Sequence, residues 1–421
     1  MPTAPDDAEI ELIRRSGVAL RVGRLSLSAG TGSYRVKASM ARAARALGIE
    51  RHQAHVTLTE ITTTSHRGPS FRTEVTEVRS VGINADRLCA LERFAQDVER
   101  DQPVSVEDAT ARLDRIQDKP PLYPAALNAL WAAMACAAFA FLNHGGVVEI
   151  AGVFLGAGLG QALRRALIHR GWNQFGVTML AAALATTTYV GFLAAFGALG
   201  GAATNHEAGY VSAVLFLVPG FPLVTGALDL AKLDFSAGLA RLTYALMILT
   251  SAALSVWGVS MVVGLDPVPA EPMGLDPALL VSLRALASFL GVLGFALMFN
   301  SPWSMALAAA SIGMVANTGR LWLVDADVPV QAAAAAAALL VGLLAAVVAP
   351  RMNVPRVTVS VPAVVIMVPG ASAYRAIYHV SNGATSEALT YAVEATLVVA
   401  ALAIGLAIAR MLTDPEWGFE R

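Results

Sequence analysis

Residues 209–230, GYVSAVLFLVPGFPLVTGALDL, and residues 358–378, TVSVPAVVIMVPGASAYRAIY, decide how this chain is read. Each is an apolar run of about the 20 residues that a helix needs to cross a hydrocarbon core of roughly 30 Å. Each is interrupted near its middle, by Leu217, Val218, Pro219 and Gly220 in the first and by Met367, Val368, Pro369 and Gly370 in the second, with the prolines 150 positions apart. Proline in a helix interior lacks an amide hydrogen and crowds a carbonyl one turn earlier, while glycine tolerates most backbone angles, so both helices should break there. Backbone groups freed by a break cannot face lipid and must be buried in protein or line a cavity. One such pair on its own reads as a packing kink, since both residue types are common in membrane helices. Two at matching positions favour a polar site built around Pro219, Gly220, Pro369 and Gly370, where half-helix N-termini attract a carboxylate.

Working outward, eight further apolar stretches lie at about 124–142, 146–166, 175–198, 239–262, 278–299, 303–322, 329–349 and 388–411. The seventh of the ten, 303–322, carries Gly313 and Asn317 and reads as broken. The connection GLDPVPAEPMGLDP divides the ten into five and five, and each half places its Pro-Gly pair in its fourth stretch. The first stretch of each half ends alike, FAFLN at 139–143 and FALMFN at 295–300. Five is odd, so the second copy crosses in the opposite sense, the inverted arrangement of many secondary transporters.

Composition agrees, with 56% hydrophobic and 14% charged residues, against about a quarter charged in soluble proteins. The charges are segregated: 18 of 30 Lys and Arg and 17 of 31 Asp and Glu precede residue 122. Residues 1–120 therefore read as a soluble domain, 121–265 as the first membrane half and 275–413 as the second. Short cytosolic loops collect basic residues. With the N-terminus inside, inner segments carry Arg164, Arg165, Arg170, Lys232, Arg241, Arg351, Arg356, Arg410 and Arg421, while outer ones carry Arg320. Both termini are thus expected in the cytosol. The opening MPTAPDDAEIELIRR shows no cleaved signal pattern.

In the soluble region, apolar residues from Ile10 to Leu27 and a second pattern from Tyr34 to Leu47 predict two amphipathic helices. HVTLTEITTT (55–64) and FRTEVTEVR (71–79), separated by Ser65 to Pro69, predict a two-stranded hairpin, and helices follow at about 86–99 and 105–117. The whole is a mainly α, polytopic membrane protein of about ten spans in a 5+5 inverted repeat, preceded by a small soluble α+β domain. A net charge of −1 with interleaved arginines does not suit nucleic acid. Cys89 and Cys136 make no disulfide framework, the seven histidines show no ligand spacing, and neither a metal nor a cofactor is expected. The segment SAGTGSY (28–34) lacks the Lys-Ser/Thr ending of a phosphate loop and reads as a helix-to-helix turn.

Ionisable groups inside spans are functional candidates by default. Arg375, with Tyr374 beside it, follows the second break and suits a substrate carboxylate; Glu394 and Asp229 suit a coupling proton. Arg284 is a further candidate, and structural pairing or snorkelling to the interface is the rival reading for all of these. Asn143, Asn300, Asn317 and Thr186 to Thr188 are weaker polar candidates.

The stretch RLSLSAGTGSYRVKASMARAARA (24–46), then VTLTEITTT, GIN (82–84) and LVPGFPL with Asp229, resembles the N-terminal half of the bacterial threonine/serine exporter family. FALMFNSP, MVPGASAYRAIY and the final span resemble that family's second half. The resemblance implies an inner-membrane exporter of threonine and serine driven by the proton-motive force. The family is also similar to a two-chain version associated with dicarboxylate export, which keeps a small dicarboxylate open as cargo. The expected partners are therefore the small-molecule substrate and the bilayer, and self-association as a homo-oligomer is compatible with this reading. A sensor or enzyme in residues 1–120, anchored by the spans, is the alternative of a different class.

Overall fold

The structure, a computed structural model, describes residues 7–78, 82–100, 104–200, 209–264 and 274–418. The first six residues, Arg79, most of the acidic connection after Gly264 and Arg421 lie outside the described residues.

The polar N-terminal region folds as α1 (Asp7–Ser28), α2 (Ser33–Ala46), strands β1 (Arg51–Val56), β2 (Glu60–Arg67) and β3 (Ser70–Glu77), then α3 (Ala85–Arg100) and α4 (Val106–Asp118). Val18, Val22 and Leu25 of α1 recur at helical spacing and close a core with Ala43, Phe94, Val98 and Leu113. Leu27, Val36 and Met40 meet Val56 and Ile61 of the sheet in a second core. Ser105 caps α4 by accepting the Asp108 amide at 3.1 Å, which satisfies one of the orphan donors of a helix start.

The sheet is an antiparallel meander in the order β1-β2-β3, one strand more than the hairpin expected from sequence. The run HVTLTEITTT hides a turn at Thr57 to Thr59: Val56 pairs with Ile61, and the Thr57 hydroxyl accepts the Glu60 amide at 3.1 Å. Such local side-chain bonding lets threonine make turns within a β-branched run. The next turn is tighter than the expected five-residue connection, because Arg67 already pairs with Ser70 and Gly68 takes the left-handed conformation at φ 56°.

The membrane region contains α5 (Ala125–Leu142), α6 (Val147–His169), α7 (Gln174–Ala198), α8 (Gly209–Ala213), α9 (Gly220–Ala231), α10 (Phe235–Val263), α11 (Pro277–Met298), α12 (Trp303–Asp325), α13 (Val330–Arg351), α14 (Arg356–Val365), α15 (Gly370–Ser381) and α16 (Thr385–Thr413), followed by the short α17 (Pro415–Gly418). Eight of these are long and apolar enough to span alone, and ten spans result if each bent pair, α8–α9 and α14–α15, is one. The order in each half is the same: three helices, a bent pair and one helix. Helix α12 runs unbroken through Gly313 and Asn317, which corrects the expected interruption. Gly313 is where α12 passes α14, a Cβ there standing 3.2 Å from the Ala363 carbonyl, and the Asn317 amide donates to Ser288 Oγ at 2.8 Å. Both residues therefore serve packing between helices. Gly156 and Gly160 bring α6 equally close to α7, at the Ala185 and Ala181 carbonyls.

The chain divides into two compact units, one comprising Met1–Leu122, Thr225–Leu242 and Ala349–Thr358, the other Tyr123–Val224, Thr243–Val348 and Val359–Arg421.

Candidate functional site

The two breaks have the same construction at the level of single hydrogen bonds. Before the first, Leu217 and Val218 donate to the carbonyls of Val214 and Leu215; before the second, Met367 and Val368 donate to those of Val364 and Val365. Each break then closes on itself, with Gly220 donating to Val218 at 2.8 Å and Gly370 to Val368 at 2.8 Å. This is an inverse γ-turn centred on proline, and Pro369 holds the appropriate angles, φ −80° and ψ 58°. The helices restart with Leu223 donating to Pro219 and Ala373 to Pro369, both at 3.0 Å. The resulting bends are 61° and 52°. Several backbone groups that the breaks release are thus satisfied locally, and what remains for function is the bend and the close approach it allows.

That approach is reciprocal. A Cβ on Gly220 would stand 3.2 Å from Val365 and 3.5 Å from Val368, while one on Gly370 would stand 2.7 Å from Leu215 and 3.0 Å from Val218. Each glycine faces the segment just before the other's proline, the exchange of partners that a two-fold relation requires.

Beside the second break, buried Tyr374 shares a hydrogen bond with Tyr210 of α8 at 3.3 Å, the rings perpendicular with centroids 5.8 Å apart. Arg375 lies over the ring of Tyr391 on α16, Cζ 5.8 Å from its centroid, and Ser372 Oγ donates to Glu394 at 3.3 Å. The expected residues Pro219, Gly220, Pro369, Gly370, Tyr374, Arg375 and Glu394 all belong to the second unit. Arg284 is paired with Asp325, and Thr187 bonds its own helix at Ala183, so the structural readings apply to both.

A cleft of mixed polar and apolar lining adjoins Arg375. It is lined by Asn143 and Gly145 at the α5–α6 corner, Glu149 of α6, Val211 and Ser212 of α8, and Ala371 and Arg375 of α15. Glu149 and Ser212 are buried, and the Asn143 amide nitrogen is engaged by the Phe139 carbonyl at 2.9 Å. Glu149 and Ser212 were not among the residues expected from sequence; the available signal was a lone carboxylate near the start of the second apolar stretch. Small-residue packing of α6 against α7 and α8 brings Glu149 to this wall.

Asp229 belongs to the first unit. It is fully buried and pairs with equally buried Arg241, Nε to Oδ2 at 3.0 Å, an ion pair rather than a well-aligned hydrogen bond. Arg241 also donates to the Thr31 carbonyl at 2.7 Å. The carboxylate stands at the start of α2, whose cap residue Gly32 has no side chain: a Cβ there would lie 2.8 Å from Asp229 Oδ1. Asp229 thereby supplies the negative charge that a helix N-terminus favours. Asp234 accepts from Ser33 Oγ and from Lys37 Nζ, the latter at 2.7 Å. The segment SAGTGSY is a helix-to-helix turn, as read from sequence, and its backbone engages Arg241 of α10.

Comparison with known proteins places residues 17–263 in the sequence family described as "Putative threonine/serine exporter" and residues 284–412 in the one described as "Threonine/Serine exporter, ThrE". A protein of Mycobacterium tuberculosis described as "Probable threonine/serine exporter" is 25% identical over 94% of this chain and 76% of its own length. Two proteins described as "Probable succinate transporter subunit YjjP" are also similar. That of Klebsiella aerogenes is 28% identical over 55% of this chain and 90% of its own length. That of Escherichia coli K12 is 27% identical over 57% and 94%. No solved structure matches.

Proposed function

The chain belongs to the threonine/serine exporter family, and from that premise we propose that it exports threonine and serine across the bacterial cytoplasmic membrane, driven by the proton-motive force. The observation that carries the mechanism is the reciprocal packing of Gly220 against Val368 and of Gly370 against Val218. Two inverted halves meet at their own break points, and α8, α9, α14 and α15 can each swing about a proline-centred turn without unwinding a neighbour. Rocking of one half against the other about a fixed central site is the usual alternating-access motion of such repeats. Substrate enters from the cytosol, and the excess of basic residues at the corners on the side of the N-terminal domain supports a cytosolic position for that domain and both termini. Pro219, Gly220, Pro369, Gly370, Tyr374 and Arg375 surround the binding region, with Arg375 as the group for the substrate carboxylate.

Glu394 is the coupling site in this reading. It lies inside α16, is half-buried and has the Ser372 hydroxyl as its partner, so proton uptake there is felt by α15 one turn from the second break. Asp229 acts differently from Glu394: its pairing with Arg241 and its place at the start of α2 tie the α9–α10 corner to the N-terminal domain. A small dicarboxylate is the second reading, favoured by the two relatives named as succinate transporter subunits.

The test is efflux of radiolabelled threonine from preloaded cells with and without the protein, before and after a protonophore. Protein-dependent efflux that the protonophore stops is the expected result. Efflux of succinate in its place would move the assignment to the second reading.

A further inference from the structure

The cleft beside the second break brings together side chains of both charge signs. Its walls present one acid, Glu149, and one base, Arg375, from different helices, and the neutral polar side chains of Ser212 and Asn143 line the same cleft. Glu149 is 6% exposed and Ser212 5%, and Glu149 stands in the first turn of α6, where a helix start favours a carboxylate. A site for a dianion would present cations alone, because a carboxylate on its wall repels the ligand. A site for a zwitterion needs both signs, set apart by the length of an α-amino acid.

We infer that this cleft reads the zwitterionic head of an α-amino acid, Arg375 taking the α-carboxylate, Glu149 the α-ammonium, and Ser212 with Asn143 the side-chain hydroxyl. The inference rests on the export reading and deepens it: the cleft selects threonine and serine and rejects dicarboxylates by charge. The Arg375 guanidinium, oriented by the Tyr391 ring, offers a planar fork suited to a carboxylate. The Asn143 nitrogen is engaged by Phe139, which leaves its amide oxygen as an acceptor for a substrate hydroxyl. The cleft encloses about 20 Å³, on the order of one ordered water, so an amino acid enters only when the walls part. Two of those walls, α8 and α15, are the segments that flank the breaks. Opening of the site and bending at Pro219 and Pro369 are therefore one motion.

The experiment is competition against radiolabelled L-threonine bound to the purified full-length chain in lipid nanodiscs. The competitors are L-serine, threonine methyl ester, which lacks the carboxylate, N-acetylthreonine, which lacks the ammonium, and succinate. Serine should displace threonine, and the other three should be at least about tenfold weaker, as expected for loss of one charged contact. E149Q should weaken threonine by about tenfold or more while leaving N-acetylthreonine little changed, so that the discrimination collapses. Succinate or N-acetylthreonine competing as well as serine in the unaltered protein overturns the inference, and that panel needs no variant to fold. Selective binding without protein-dependent efflux would sink the export reading and leave the cleft assignment in place; efflux without the selectivity would do the reverse.

Discussion

Gly220 lies against Val368, a Cβ on the glycine standing 3.5 Å from Val368 Cγ2, and the same relation recurs between Gly370 and Val218 at 3.0 Å. The exchange makes each break the floor on which the other rests. It also ranks the two glycines, because the contacts at Gly370 are the tighter.

Gly370→Ala should therefore cost more than Gly220→Ala. At Gly370 a methyl group meets Leu215 at 2.7 Å, whereas at Gly220 its nearest neighbour is 3.2 Å away. Overpacking of this kind costs about 1–3 kcal/mol. Thermal unfolding in detergent should show a lower midpoint for G370A than for G220A, and export should fall in the same order. Equal midpoints would remove the ranking.

The Asp229–Arg241 pair should behave as a buried ion pair. Removing one member leaves the other charged and unpartnered, at a cost of about 3–5 kcal/mol, while replacing both with apolar or amide groups of similar shape recovers much of it. Accordingly D229N and R241M should each express poorly as folded protein, and D229N/R241M should be closer to the unaltered chain. A double variant as poor as the sum of the singles would argue against direct pairing.

Acidification should loosen the N-terminal domain. Burial pushes the Glu92 carboxyl up, but Arg35 and Arg42, both 3.0 Å away, outweigh it and hold it below the usual carboxylate range. Its folded value is depressed, so its stabilisation is present above an unfolded value of about 4.3 and is lost as pH falls through the folded one. Burial likewise lowers the His52 imidazole, so His52 withholds stability as pH falls below about 6.5. Amide exchange in α2, α3 and β1 of the full chain should accelerate in two steps, the upper absent in H52Q and the lower absent in E92Q.

Glu394→Gln should separate coupling from translocation. Counterflow of threonine across vesicles with no proton gradient should continue, while uphill export driven by an imposed gradient should stop. Gradient-driven export at the unaltered rate would exclude Glu394 as the coupling group.

Much of this architecture was legible because it is written in local patterns. All ten apolar stretches correspond to helices or bent pairs, and Pro219 and Pro369 announce their breaks by the glycine that follows each, whereas Pro350 and Pro362, followed by Arg351 and Ala363, stay within α13 and α14. The hidden turn at Thr57 to Thr59 was not legible, since threonine serves both strand and turn. Gly313 and Asn317 looked like a break because their helix partners, Ala363 and Ser288, are distant in sequence. The same distance concealed Asp229 at the start of α2 and Glu149 in the cleft: neither residue's neighbours in sequence indicate which helix end or wall it will meet.

The central claim is that bending at the two proline turns moves substrate. It is tested most directly by threonine efflux from cells carrying P219A/P369A, with the amount of folded protein in the membrane measured alongside. The account predicts that the double variant inserts and folds but exports at background rate, because continuous helices cannot part the walls beside Arg375. Export by that variant at the rate of the unaltered protein would contradict it.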